Sequence, residues 1–525
     1  MSSVERTALV VDESTTADYL ATGVIGVGLA AFVASWLTLF QWVDQTTSVL
    51  GVSLFTTLGV LLVAMGLGVI ALGLGSRYGA FATEPSTTAG LLVGVLFGLA
   101  GFVTGGLIAS QTVGLGTGGW LAAAVLIGVV ATVIAVLPRE DVGSTLPAGT
   151  FLLFVGGVVA TGVIDTTWTW SPNGLSMTFI GPVVVPTLVA LASLVASWSA
   201  AKARAGFGAR GRQNGAYLLV LMSIAGMLAT LLLLVGFIVV NGLDTVLTGA
   251  KLGGKNVVSL PFLTNVTKSL FVEVPGVFPA VVGTLWLVAG AIAFAVPLGV
   301  GAAVFITEYA DRGRFTRLVE VATNGLWSTP SIVFGLFGIA FIMPRVSSGR
   351  RSLLAGMVVL GFMLLPLVVI TSRESIKAVP EEYREASVAL GVSKWQTIRS
   401  VVLPSAVPGV ITGIILGVGR IAGETAPLIL VYGGPPYPNS NPNVLGSFEF
   451  TSSPPFVTNP ELLKAGSALP YQLYTSITSG LPPGEAFTAQ AFGWGTALVL
   501  LVVVLGLYAI GIVSRLYFRR KLHHE

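Results

Sequence analysis

Arg420 and Glu424 stand four residues apart inside an apolar run, a spacing that stacks them on one face of a helix. At the centre of a membrane helix each charge costs roughly 2.5–3.5 kcal/mol, so both persist only by pairing or by meeting water or a polar solute. Two uses stand open from the residues alone. One is a structural ion pair that ties this helix to its neighbours. The other is a gate or pathway site for an anion, with Arg420 attracting the solute and Glu424 restraining Arg420. Glu424 alone would repel an anion, so pairing or protonation has to limit that repulsion.

A second constellation runs from Pro380 to Pro404, the one long charged amphipathic stretch among apolar spans. Pro380 suits a first helical position, and Glu381 and Glu382 complement the positive end of a helix dipole. Gly391 is a natural helix stop. Ser393 is a fitting N-cap for a second helix carrying Trp395, Ile398, Val401 and Val402. Pro404 and Pro408 mark the start of the next span. The expectation is a short helix, a tight turn and a second helix near the membrane surface. It serves either as an interfacial connector without a partner or as a surface that receives force from a soluble protein.

Other chemistry is sparse. The 525 residues include no Cys and two His, both in the tail (His523, His524). Disulfides, thiol catalysis and cysteine-ligated metals are excluded, and a His-based metal site or triad lacks donors. No cofactor or metal is expected. The run from Gly249 to Asn256 nearly fits a P-loop, but Asn256 stands where Ser or Thr would hold magnesium. Gly114, Gly116 and Gly119 fit a dinucleotide fingerprint but link two apolar spans, without the strand–helix–strand context it needs.

These residues must be positioned by membrane helices. Hydrophobic residues make up 54% of the chain and charged residues 10%, a balance no water-soluble domain of this length sustains. Runs of about 20 apolar residues are needed to span. They occur near 20–40, 50–73, 89–110, 119–137, 148–164, 178–199, 216–240, 278–306, 325–343, 353–371, 406–432 and 493–515. Twelve spans with both ends cytoplasmic place Arg77, Arg139, Lys202, Arg204, Arg210 and Arg212 inside. Further inside lie Arg312, Arg314, Arg317, Arg373, Lys377, Arg384, Lys394, Arg399 and the basic tail from Arg515. Arg345, Arg350 and Arg351 fall outside, either as a tolerated exception or as a positive vestibule for an anion. Trp168 and Trp170 read as an interfacial aromatic belt. The first nineteen residues are acid-rich and lack the basic start of a secretory signal.

Glu385-Ala386-Ser387, then Gly391, then Val401 with Leu403-Pro404 resemble the EAA loop of ABC importer permeases, with Ser for the second Ala and Val for Ile. Arg420 followed by Gly423-Glu424-Thr425-Ala426-Pro427-Leu428 resembles the R-x-x-GETAPL segment of PstA-type phosphate permeases. Thr307-Glu308-Tyr309-Ala310 and Pro330-Ser331-Ile332-Val333-Phe334-Gly335 match as well. The resemblance covers about 216–520 and nothing before residue 201.

The expected architecture is an all-α polytopic membrane protein of about twelve transmembrane helices. By resemblance, the C-terminal six form an ABC importer type I permease core. The expected divisions are a cytoplasmic tail (1–19), a six-helix membrane module of unknown role (20–200), a basic cytoplasmic linker (201–215) and the permease domain (216–520) with its loop at 380–404. The resemblance implies a transport subunit rather than an enzyme, multi-pass in a prokaryotic cell membrane. Glu385, Ala386, Ser387, Gly391, Leu403 and Pro404 would couple it to an ATPase, and Arg420, Glu424 and Thr425 would line the solute pathway. Implied partners are a PstC-type permease subunit, a PstB-type ATPase dimer, an extracellular phosphate-binding protein, inorganic phosphate and membrane lipid, with no nucleic acid. The alternatives are an ABC permease for another oxyanion, such as sulfate or molybdate, which GETAPL argues against, or a secondary transporter working without an ATPase.

Overall fold

Apolar runs that cannot pair their backbone with water close their hydrogen bonds internally, so helices dominate. The computed structural model describes residues 16–88, 90–173, 176–252, 258–267, 273–311, 313–454, 456–480 and 482–522. Residues 1–15 of the expected tail, Arg312, His523, His524 and the centre of the P-loop-like run (253–257) lie outside the described residues. Two units divide the chain, Met1–Val235 and Gly236–Glu525.

The first unit comprises α1 (Thr16–Leu39), α2 (Leu54–Arg77), α3 (Leu91–Leu107), α4 (Thr117–Val136), α5 (Glu140–Ala160), α6 (Gly181–Arg204) and the start of α7 (Gly208–Leu247). Helix α2 packs along α5, and α1 along α6. Glycine makes the first contact possible. A Cβ on Gly59 would meet the backbone of Ala160 and Gly156, and one on Gly66 would meet Gly149 O. Such backbone approach is how helices adhere in lipid, where apolar burial gives no advantage. Helices α3 and α4 form a second close pair, with Gly94 and Gly98 against Val136 and Thr132. The loops after α1 and α5 share one device. Asp44 accepts from the amide and hydroxyl of Thr46, as Asp165 does from Thr167. These bonds hold both carboxylates below their ordinary pKa.

The fifth span starts earlier than the expected 148–164. Helix α5 begins at Glu140, and its polar first turns (Glu140, Asp141, Ser144, Thr145) are buried in protein. Hydropathy excluded residues that neighbouring helices satisfy.

The second unit contains α8 (Pro261–Thr264), α9 (Phe278–Val304) with a π turn at Phe305–Tyr309, α10 (Arg314–Ser328) and α11 (Ser331–Phe337). A π turn at Gly338–Ile342 leads to α12 (Met343–Val346), then α13 (Leu353–Lys377), α14 (Glu381–Ala389), α15 (Lys394–Thr397), a π turn at Ile398–Val402 and α16 (Leu403–Ala422). It ends with α17 (Ala426–Val431), α18 (Leu469–Ser479) and α19 (Ala489–Leu522). Helix α13 is the pillar, packed by α9, α10 and α16. Gly409, Gly413 and Gly417 of α16 lie against Ser375, Thr371 and Leu364 of α13 with no room for a Cβ.

Three expectations change here. The span expected at 325–343 is broken, because Thr316–Ser328 and Ser331–Val346 meet at a 105° bend. Pro330 is the cause: it disfavours helical backbone at Thr329, which takes ψ 131°. The span expected at 406–432 is also interrupted, between Ala422 and Ala426. Conversely, Pro404 and Pro408 start nothing. One helix runs from Lys394 to Ala422, absorbing the prolines through the π turn before them. Eleven described helices are long and apolar enough to span, or up to twelve with the bent pair.

Candidate functional site

The amphipathic loop folds as two helices at a tight corner. Helix α14 follows Pro380, which serves as its N-cap, and ends at Gly391, whose φ of +75° is costly for a side chain with a Cβ. Ser393 opens the next helix with a capping box to Gln396. Glu385 and Ala386 are exposed, whereas Ser387 is buried and its hydroxyl lies 2.8 Å from that of Thr397. Leu403 packs on a cluster formed by Val304, Ile376, Val402 and Ala406. Pro404 is half-buried in the continuing helix.

Sequence reasoning missed the anchor of this loop. Arg384 donates to Ile376 O in the last turn of α13 and to Val379 O just beyond it, and pairs with Glu308 at 3.0 Å. Helix ends need such donors. The Thr307–Ala310 motif was visible, but its partner lay 76 residues away.

Arg420 and Glu424 sit where α16 stops. Gly423 closes the helix and Gly423–Thr425 are non-helical before α17 begins. Irregular backbone at membrane depth is tolerated where it is buried in protein or lines a cavity. Arg420 Nε lies 3.8 Å from Glu424 Oε1, with the side chains 32% and 16% exposed. That distance is an ion pair and too long for a hydrogen bond. The guanidinium lies 4.3 Å from the ring centre of Trp327 on α10, a cation–π contact, and among the described residues its N–H edge has no hydrogen-bond partner. Trp327 carried no sequence signal. Thr425 is adjacent and half-buried.

The three arginines expected outside diverge. Arg345 bonds Phe341 O and stacks on Phe341, and Arg351 bonds Gly433 O, so both serve local backbone. Arg350 is exposed.

The first unit holds a different charge cluster. Glu140 Oε1 is 3.0 Å from Lys202 Nζ, both almost fully buried. Its Oε2 accepts from Arg212 and from the amides of Ser86 and Gly208. Asp141 accepts from Arg139, Ser76 and its neighbouring amide. Three of the four carboxylate oxygens accept hydrogen bonds, and the fourth, Glu140 Oε1, is held by the ion pair with Lys202.

The family described as binding-protein-dependent transport system inner membrane component matches residues 295–524. The probable ABC transporter permease protein YqgI of Bacillus subtilis is 34% identical over 224 residues, 42% of this chain and 72% of that protein. The phosphate transport system permease protein PstA 1 of Mycobacterium tuberculosis is 36% identical over 230 residues, 44% of this chain and 67% of that one. PstA of Mycobacterium leprae is 34% identical over 247 residues, covering 47% and 72%. The chain belongs to the PstA-type ABC permeases. A solved inward-facing MetNI methionine ABC transporter overlaps 46% of this chain and 94% of its own at TM-score 0.35 and 19% identity, a likeness too low to build on.

As a PstA-type permease, this protein is a multi-pass membrane component, and the family match lies wholly within its second unit. The Glu140 cluster belongs to the first unit, outside that match.

Proposed function

We propose that this permease forms, with a PstC-type subunit, the phosphate pathway of an ATP-driven importer. A PstB-type ATPase dimer would drive it through α14, and an extracellular phosphate-binding protein would deliver the solute. The observation that carries this reading is the unsaturated guanidinium of Arg420. It has five donors, a carboxylate too distant to occupy them, and an aromatic face that orients it. A guanidinium fork so presented matches the acceptor geometry of an oxyanion. Glu424 sets the strength of the attraction: close enough to steady Arg420, too far to consume it. The names of the relatives support phosphate as the oxyanion. On the other face of the argument, exposed Glu385 and Ala386 on a short helix clamped by Arg384 support a docking surface for the ATPase, with both termini on that side.

The test is radiolabelled phosphate uptake in cells lacking their own permease but expressing the partner subunits. Wild type restores uptake, whereas Arg420→Ala and Glu385→Lys both abolish it at unchanged membrane abundance. Sulfate or molybdate competing as well as unlabelled phosphate would overturn the substrate. Uptake surviving Glu385→Lys would overturn the coupling role of α14.

A further inference from the structure

A cleft of about 920 Å³ opens in the second unit at the end that carries α14, away from the Arg420 break. Its walls come from the π turn after α9, from α10, from the last turns of α13 and from α14. Bases outnumber carboxylates there, and the carboxylates are already used. Glu320 is held by Arg373, and Arg384 holds both Glu308 and Glu381. Arg314 and Arg317 are left over. They are exposed, three residues apart on one helix, and among the described residues neither has an ion-pair partner. Like charges at that spacing repel, so α10 gains if an anion settles between them. Two further atoms lack hydrogen-bond partners, Thr307 Oγ1 and Arg373 Nε, and both residues line the same cleft.

We propose that this cleft binds a phosphate group, through Arg314 and Arg317 from α10, Arg373 from α13 and Thr307 from the π turn. Donors converging from three elements suit an anion with acceptors on several faces, as a tetrahedral phosphate has and a flat carboxylate lacks. The group is supplied either by free inorganic phosphate or by an anionic lipid headgroup, since basic residues at helix ends meet both. The assignment is independent of which solute crosses the membrane. Because Arg384 joins the cleft to α14, occupancy reaches the loop on which coupling is proposed to act.

Full-length protein in an Arg420→Ala background, which removes pathway binding, separates this site from the pore. In lipid-free nonionic detergent, equilibrium dialysis with radiolabelled inorganic phosphate reads the free-ion source. In nanodiscs of phosphatidylcholine with and without phosphatidylglycerol, native mass spectrometry reads retained anionic lipid. Binding of either probe that falls about tenfold in Arg314→Gln/Arg317→Gln supports the cleft and names the source, a loss expected for two charge-assisted contacts. If that double variant does not fold, the single exposed change Arg317→Gln carries the test, with a fall of about threefold. Failure to bind either probe overturns the proposal, as does binding that the arginine substitutions leave unchanged.

Discussion

Each unit of this permease sets a carboxylate beside basic side chains, but to opposite degrees of completion. In the first unit Glu140 is fully buried and surrounded by Lys202, Arg212 and two backbone amides. In the second, Glu424 stands 3.8 Å from an arginine whose donors remain open. The first pairing joins residues more than 60 positions apart and the second joins residues four apart on one helix. Burial and the number of partners separate them further: Glu140 is enclosed by two cations and two amides, and Glu424 faces one distant arginine, the arrangement that the proposed solute site requires.

The comparison breaks most readily at Glu140. Glu140→Ala leaves Lys202 buried without its partner and is expected to cost about 3–5 kcal/mol, read as lost membrane abundance and a lowered unfolding midpoint. If Arg420→Ala proves as destabilising as Glu140→Ala, the distinction fails. Arg420→Lys sharpens the other side. It keeps the charge but loses the planar fork, so phosphate uptake should fall about tenfold or more at normal abundance. Ser387→Ala gives the smallest effect. It removes the Ser387–Thr397 contact, worth about 1 kcal/mol, and leaves uptake within about twofold, because the exposed face of α14 is untouched.

Much of this was readable from residue order. Gly391 and Ser393 announce their corner because left-handed backbone and helix caps are local demands met by local residues. The apolar runs give the helices for the same reason. What stayed hidden depends on distant neighbours. Glu140 looks like a loop residue until Lys202 and Arg212 come to it. The interruption at Gly423–Thr425 is averaged away when hydropathy is read over the roughly 20 residues of a span, since three such residues scarcely lower the mean of a long apolar run. Trp327 meets Arg420 across 93 residues of sequence, beside the 105° bend at Pro330 that hydropathy does not show. Arg384 was counted as an inside charge, and only the structure shows it gripping the end of α13.

The unbroken helix from Lys394 to Ala422 has the corner that follows α14 at one end and Arg420 near the other. At 1.5 Å per residue, Arg420 lies about 39 Å from Lys394, so pivoting the rod by about 5° sweeps its far end through about 3 Å. That sweep is one hydrogen-bond length. If the corner receives the stroke proposed above, a pivot of that size is enough to exchange one partner of the guanidinium for another, and the compliance of the rod is set by its weakest stretch, the π turn ahead of Pro404 and Pro408.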